Sequence, residues 1–251
     1  MCGGLLAVES ANVVGYQTRS MIGEGDQLME SYSGGPVFKA VGSTGNTYTL
    51  NDFTVTGMDT SGDCIQFLDP DTTETYLSAT YADPSNYAAG WVGWWDADDV
   101  GGTRLDGEDA DEFPACTAFL GLFTSGEEIS FSFSGEVEKG TKEVVMSTES
   151  PFVCNPHPVD LTLESVTAEG MDTSGDCFQF LDPYTTDTYL SVTYANEADY
   201  GSSWAGWWDA DDVGGTRVDD TELPAGQGLL GLLTSGNEVT LTFGAVLPDN
   251  D

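Results

Sequence analysis

Two residue clusters in this chain have the types and spacing for chemistry, and each occurs twice. Trp91, Trp94 and Trp95 run into Asp96, Asp98 and Asp99, and Trp204, Trp207 and Trp208 run into Asp209, Asp211 and Asp212. An indole turned outward beside carboxylates offers a flat apolar face for the C–H surface of a sugar ring, with hydrogen-bond acceptors at its edge. The second cluster is DTSGD, at Asp59–Asp63 and Asp172–Asp176. Clustered loop aspartates beside glycine are the oxygen ligands that Ca2+ takes. The EF-hand pattern is not met, because the glycine and closing glutamate expected after Asp96 and Asp98 fall out of register. Of the two loops, DADD is the better calcium candidate, since three close acids need a counter-ion or exposure. Each reading has a plainer competitor. Aspartate is a common turn former, and tryptophan also plugs sandwich cores and interfaces. Arg104 and Arg217 close the same blocks and most simply pair with neighbouring aspartates.

Catalytic motifs are missing. The single histidine, His157, stands between Pro156 and Pro158, and neither GxSxG nor HExxH occurs. Paired carboxylates carry no information in a chain with 43 acids. A non-enzymatic protein is therefore expected.

Five cysteines form no CxxC pair, so zinc-ribbon and thioredoxin-type sites are unsupported. Cys64 and Cys177 occupy equivalent places in the two copies. Cys116 stands where the second copy has Gly226, and Cys154 precedes the second copy's main block. One disulfide per domain, Cys64–Cys116 and Cys154–Cys177, would use four and leave Cys2, an arrangement suited to an oxidising compartment. Buried thiols are the alternative.

The elements that must position these residues are written twice. GMDTSGDCIQFLDPDTTETYLSATYA from Gly57 returns as GMDTSGDCFQFLDPYTTDTYLSVTYA from Gly170, and GWWDADDVGGTR from Gly93 returns from Gly206. Such a period exceeds a solenoid unit of about 20–50 residues and matches a whole small domain. Short alternating runs such as CIQFL, ISFSF and VTLTF are separated by turn clusters rich in Asp, Gly and Pro. This pattern predicts an all-β chain of two tandem antiparallel β-sandwich or small-barrel domains. The first spans 11–137, the second 142–246, with a short join at 138–141 and an acidic tail at 247–251. Residues 1–10 resemble the end of a secretory h-region with a small-residue cleavage site, or else a flexible N-terminus.

With 43 acids against 6 bases, the net charge of −37 repels phosphate. Nucleic acid and anionic lipid are excluded as partners, and no apolar run is long enough to insert in a membrane. Divalent cations, high salt or polyvalent neutral ligands suit such a surface.

The opening ANVVGY, the mid-chain NPHPV and the LPAGQG turn resemble a group of secreted, tandem all-β proteins of Verrucomicrobia-type bacteria. The resemblance covers nearly the whole chain and implies export and two β domains, without an activity. The chain departs from it at Cys154–Pro158, where the group has Ser-Asn-Pro-Tyr-Pro, and at Leu229 and Leu230, where the group often has an aromatic pair. Together these features give two expectations. One is a secreted surface or matrix protein that self-associates into a layer or filament, with Ca2+ bridging acidic loops. The other is a tandem polysaccharide-binding protein that uses the tryptophan blocks.

Overall fold

A computed structural model describes residues 14–22, 29–33, 38–39, 47–68, 76–107, 110–114, 116–137, 140–148, 152–157, 159–181 and 189–244. The segments 1–10 and 247–251 lie outside the described residues. The chain is all-β, and the strand pairs among the described residues are all antiparallel.

In the first copy the strands are β1 (Val14–Ile22), β2 (Met29–Ser33), β3 (Phe38–Lys39), β4 (Thr47–Tyr48), β5 (Thr54–Thr56), β6 (Cys64–Leu68), β7 (Tyr76–Ala82), β8 (Gly93–Asp96), β9 (Phe113–Pro114), β10 (Phe119–Phe123) and β11 (Glu128–Val137). In the second they are β12 (Lys142–Met146), β13 (Phe152–Cys154), β14 (Leu161–Thr162), β15 (Val166–Glu169), β16 (Cys177–Leu181), β17 (Tyr189–Ala195), β18 (Gly206–Asp209), β19 (Glu222–Leu223), β20 (Gly228–Leu232) and β21 (Val239–Phe243). A one-turn helix, α1 (Glu197–Tyr200), precedes β18. Its start is capped by the Asn196 side chain, which accepts from the Ala198 and Asp199 N–H groups.

Each copy builds its own sheets. In the first, β11 pairs with β1, β3 and β5, and a five-stranded sheet runs β2-β10-β6-β7-β8. In the second, the order is β12-β21-β15 beside β13-β20-β16-β17-β18. Period-two alternation drives this layering, because it gives every strand one apolar face to bury. β10 and β21 both alternate buried with half-buried residues along their length. The inward residues of both first-copy sheets, Val55, Ile129 and Phe131 from one and Ile65, Phe67 and Phe119 from the other, form one buried cluster. Two antiparallel sheets sharing such a core make a β-sandwich. A matching cluster in the second copy contains Val166, Val239, Phe178, Leu229 and Trp207.

The copies meet through an isolated antiparallel bridge, Thr117 opposite Val153, between the lead-in to β10 and strand β13. Cys116, Ala118, Phe152 and Cys154 form a small apolar core there, against Leu120, Val144 and Leu230.

Candidate site: the tryptophan and aspartate loops

Adjacent tryptophans on a strand point to opposite faces, and β8 and β18 use this fully. Trp94 and Trp207 enter the cores and are 1% exposed. Trp95 and Trp208 lie on the other face, yet are only 6% and 7% exposed. What covers them is the same in both copies. The Trp95 Nε1–H donates to the Trp91 carbonyl (2.8 Å), with Trp208 donating likewise to Trp204 (2.9 Å). Arg104 and Arg217 place their guanidinium carbons 4.8 Å from the Trp95 and Trp208 ring centroids, a cation–π stack.

These arginines are held by aspartates two residues on. Arg104 makes a fork with Asp106, its Nε and Nη2 each 2.7 Å from a carboxylate oxygen. Arg217 pairs with Asp219 at 2.6 Å. The same carboxylates accept the Trp94 and Trp207 backbone N–H groups at 3.0 and 2.7 Å. Each fork presses on a glycine, Gly93 at φ +131 or Gly206 at φ +128. A side chain there would collide with the arginine and face a backbone conformation that L residues rarely adopt.

Trp91 and Trp204 remain as the open indoles, 48% and 44% exposed. Each is tilted against its buried neighbour at a centroid distance of 5.5 Å. Each also lies on the glycine pair of the acidic loop. A Cβ at Gly101 (φ +90) would lie 2.7 Å from the Trp91 ring, and one at Gly102 would lie 2.6 Å from the Asp99 carboxyl carbon. Gly214 and Gly215 stand in the same relation to Trp204 and Asp212. The glycines thus place an open indole and a carboxylate over adjacent residues. In the sequence these glycines stand only as part of the repeated block GWWDADDVGGTR. The signal that could have revealed their role was the repetition of both glycines after a tryptophan block.

Within the loop the aspartates divide their work. Asp96 and Asp209 carboxylates accept the N–H two residues on, from Asp98 and Asp211, at 2.9 Å. Asp99 and Asp212 accept the Thr103 and Thr216 hydroxyls at 2.8 and 2.7 Å. Among the described residues no three His, Cys, Asp or Glu side chains come together in a way that could hold a metal ion. In DTSGD the second aspartate is a buried pin. Asp63, 1% exposed, accepts the Asp59 N–H (3.0 Å) from its own turn and the Thr124 and Ser125 N–H groups (2.8 and 2.9 Å) from the β10–β11 turn. Asp176 accepts the Asp172 N–H (3.0 Å) and both the N–H and hydroxyl of Ser235 (2.9 and 2.7 Å). Tyr87 and Tyr200 fasten the loops before the exposed indoles to the same turns, bonding the Thr60 and Thr173 hydroxyls at 2.6 and 2.8 Å.

His157 is buried, and its N–H donates to the Asn155 side chain (3.0 Å). The Asn155 amide in turn donates to the Val159, Leu223 and Pro224 carbonyls at 3.1 Å. That motif staples a turn against β19.

The expected pairs Cys64–Cys116 and Cys154–Cys177 are not formed; none of the four cysteines is joined in a disulfide. Cys64 and Cys177 sit within the five-stranded sheets opposite Leu122 and Leu232, while Cys116 and Cys154 share the junction core. Strand β13 brings Cys154 to Cys116, its N–H donating to the Cys116 carbonyl at 2.9 Å. Burial, then Asp63 and Asp98, pushes the Cys64 thiol up to about 11. Burial, then Asp211 and Asp176, raises that of Cys177. Both are therefore weak nucleophiles at neutral pH.

Comparison with family models, curated proteins and solved structures gives no match.

Proposed function

We propose that the chain is a non-enzymatic, secreted, tandem polysaccharide-binding protein, with one binding spot per copy built on Trp91 and Asp99 and on Trp204 and Asp212. The observation that carries this reading is the duplicated open indole set beside a carboxylate on a rigid glycine-pair loop. The exposed indole face stacks on the C–H face of a pyranose, and the carboxylates accept hydrogen bonds from its hydroxyls. A neutral glycan incurs no repulsion from a chain of charge −37. A single stacked ring binds weakly, and two spots on one chain raise the avidity without any new contact.

Self-assembly stands second. A stable interface buries about 800 Å² per partner, and each loop offers only one open indole and one valine, Val100 or Val213. Calcium bridging of acidic loops is what would favour it.

Retention of the full chain on a panel of neutral polysaccharides (cellulose, chitin, mannan and mixed-linkage glucan) tests the first reading. We expect retention on at least one, lost in the Trp91→Ala/Trp204→Ala double variant. Failure to bind any member sinks it. Light scattering on a sizing column tests the second: a monomer in both calcium and chelator is expected, and large species that collapse in chelator would favour assembly.

A further inference from the structure

The lead-in to β10 carries a backbone outlier. Cys116 has φ +69, the one positive φ at a non-glycine residue among the described residues. The same turn of the second copy holds Gly226 at φ +66. Glycine fills this conformation without strain, and cysteine does not. The first copy therefore holds a thiol at a place where the fold asks for none, and such an outlier points to a role for the side chain.

Across the junction stands a second cysteine. The bridge between Thr117 and Val153 sets Cys116 directly opposite Cys154. The Cys154 N–H donates to the Cys116 carbonyl at 2.9 Å, and the Ala118 N–H donates to the Phe152 carbonyl at 3.3 Å. These bonds flank the Thr117–Val153 pair and leave Cys116 and Cys154 as strand neighbours joined by one of them, with Cα atoms about 5–6 Å apart, within the range a disulfide spans. Both cysteines are buried, 3% and 0% exposed, in one apolar cluster. Burial first, then the nearby Cys154 and Cys116, pushes the Tyr48 hydroxyl well above its ordinary range, so both thiols border the same group.

We propose that Cys116 and Cys154 form a disulfide that clasps the two copies together at their junction. The oxidant is a disulfide, either a small molecule or the active-site bridge of a thiol oxidoreductase. One cysteine thiolate attacks an oxidant sulfur and displaces its first thiolate. The second cysteine thiolate then attacks the mixed disulfide and displaces the other. One S–S bond forms as one breaks, and the two cysteine protons end on the oxidant's two thiols. Burial of both sulfurs places the step during folding or in a transient opening of the junction.

The test equilibrates the full chain in glutathione buffers from reducing to oxidising, with sub-denaturing urea to permit opening. Samples are acid-quenched, blocked with a maleimide and mapped by peptide mass spectrometry. Cys116 and Cys154 are expected to lose reactivity together and to appear as one cross-linked peptide pair, while Cys64 and Cys177 stay blockable. Oxidation should raise the thermal midpoint by roughly 5–10 °C. Cys116→Gly, which installs the second copy's residue, and Cys154→Ser should each abolish that shift, and Cys64→Ser should keep it. The clasp is overturned if both cysteines stay blockable in the most oxidising buffer, or if either is bridged to any other cysteine.

Discussion

The two copies share the order of their five-stranded sheets and differ most in their cores. The first is packed with rings: Phe53, Phe67, Phe113, Phe119, Phe123 and Phe131 fill its core. At the matching places the second has Val166, Phe180, Leu223, Leu229, Leu233 and Leu241, with Ile65 exchanged for Phe178. The rings of the first meet edge-on or stacked, as with Phe67 on Phe113 at 4.3 Å. The second regains part of that volume with Phe178. The outer loops, by contrast, repeat the Arg–Asp pairs, the stacked indoles and the aspartate turns in both copies. A sandwich accepts many cores of the right volume. A loop that must hold an indole and a carboxylate in register accepts few changes.

The largest effects expected from breaking this comparison lie in the cores. Phe131→Ala should cost about 3–5 kcal/mol and Leu241→Ala about 2–5 kcal/mol in urea unfolding. Exchanging the two residues should also destabilise, since Leu241→Phe overpacks by about 1–3 kcal/mol. Freely interchangeable residues would show that the two cores are not separately fitted.

Next come the buried pins. Asp63→Ala and Asp176→Ala each strand backbone donors and should cost about 3 kcal/mol. Ser235→Ala should cost about 1 kcal/mol, because its hydroxyl serves Asp176. Ser125→Ala removes no such bond, since Ser125 reaches Asp63 through its N–H. Thermal denaturation of the four variants separates these.

Smaller still is the contrast between the core indoles. Trp207 donates to the Val166 carbonyl at 2.7 Å, whereas Trp94 Nε1 has no hydrogen-bond partner among the described residues, with Phe53 edge-on at 6.2 Å. Replacement by Phe should therefore cost about 1 kcal/mol more at Trp207 than at Trp94.

The smallest effect is a pH dependence at Asp83, a carboxylate that the second copy lacks. Burial acts to raise the Asp83 carboxyl, but hydrogen bonds from Ser85 and from the Gly57 N–H outweigh it and leave the group below its ordinary value. A depressed carboxyl contributes stability above its unfolded pKa of about 3.9, and that contribution is lost as pH falls through the folded value. The second copy has Asn196 here. Asp83→Asn should therefore destabilise near neutral pH, by an amount that disappears in acid titration. An offset that persists at low pH would contradict this.

The β content was legible because CIQFL, ISFSF and VTLTF alternate with period two, and turn clusters bound them. The tryptophan blocks were legible as candidates, but not which ring opens to solvent. Strand alternation turned Trp95 outward, yet the Arg104 stack and the Trp91 backbone cover it, contacts that loop closure creates and periodicity cannot express. In DTSGD a buried pin and a metal ligand call for the same carboxylate, so the sequence does not separate the two roles. Which cysteines meet was not legible, because spacing within a copy says nothing of Cys116 and Cys154 sharing the junction core.

We propose Trp91 and Trp204 as two equivalent contact points for one glycan chain. Equilibrium binding of the wild type, Trp91→Ala, Trp204→Ala and the double variant to the retained polysaccharide tests it most directly, with circular dichroism to confirm folding. Each single variant should lose about 100-fold in apparent affinity as avidity disappears, and the double variant should not bind. Unchanged binding in the folded double variant would contradict the account.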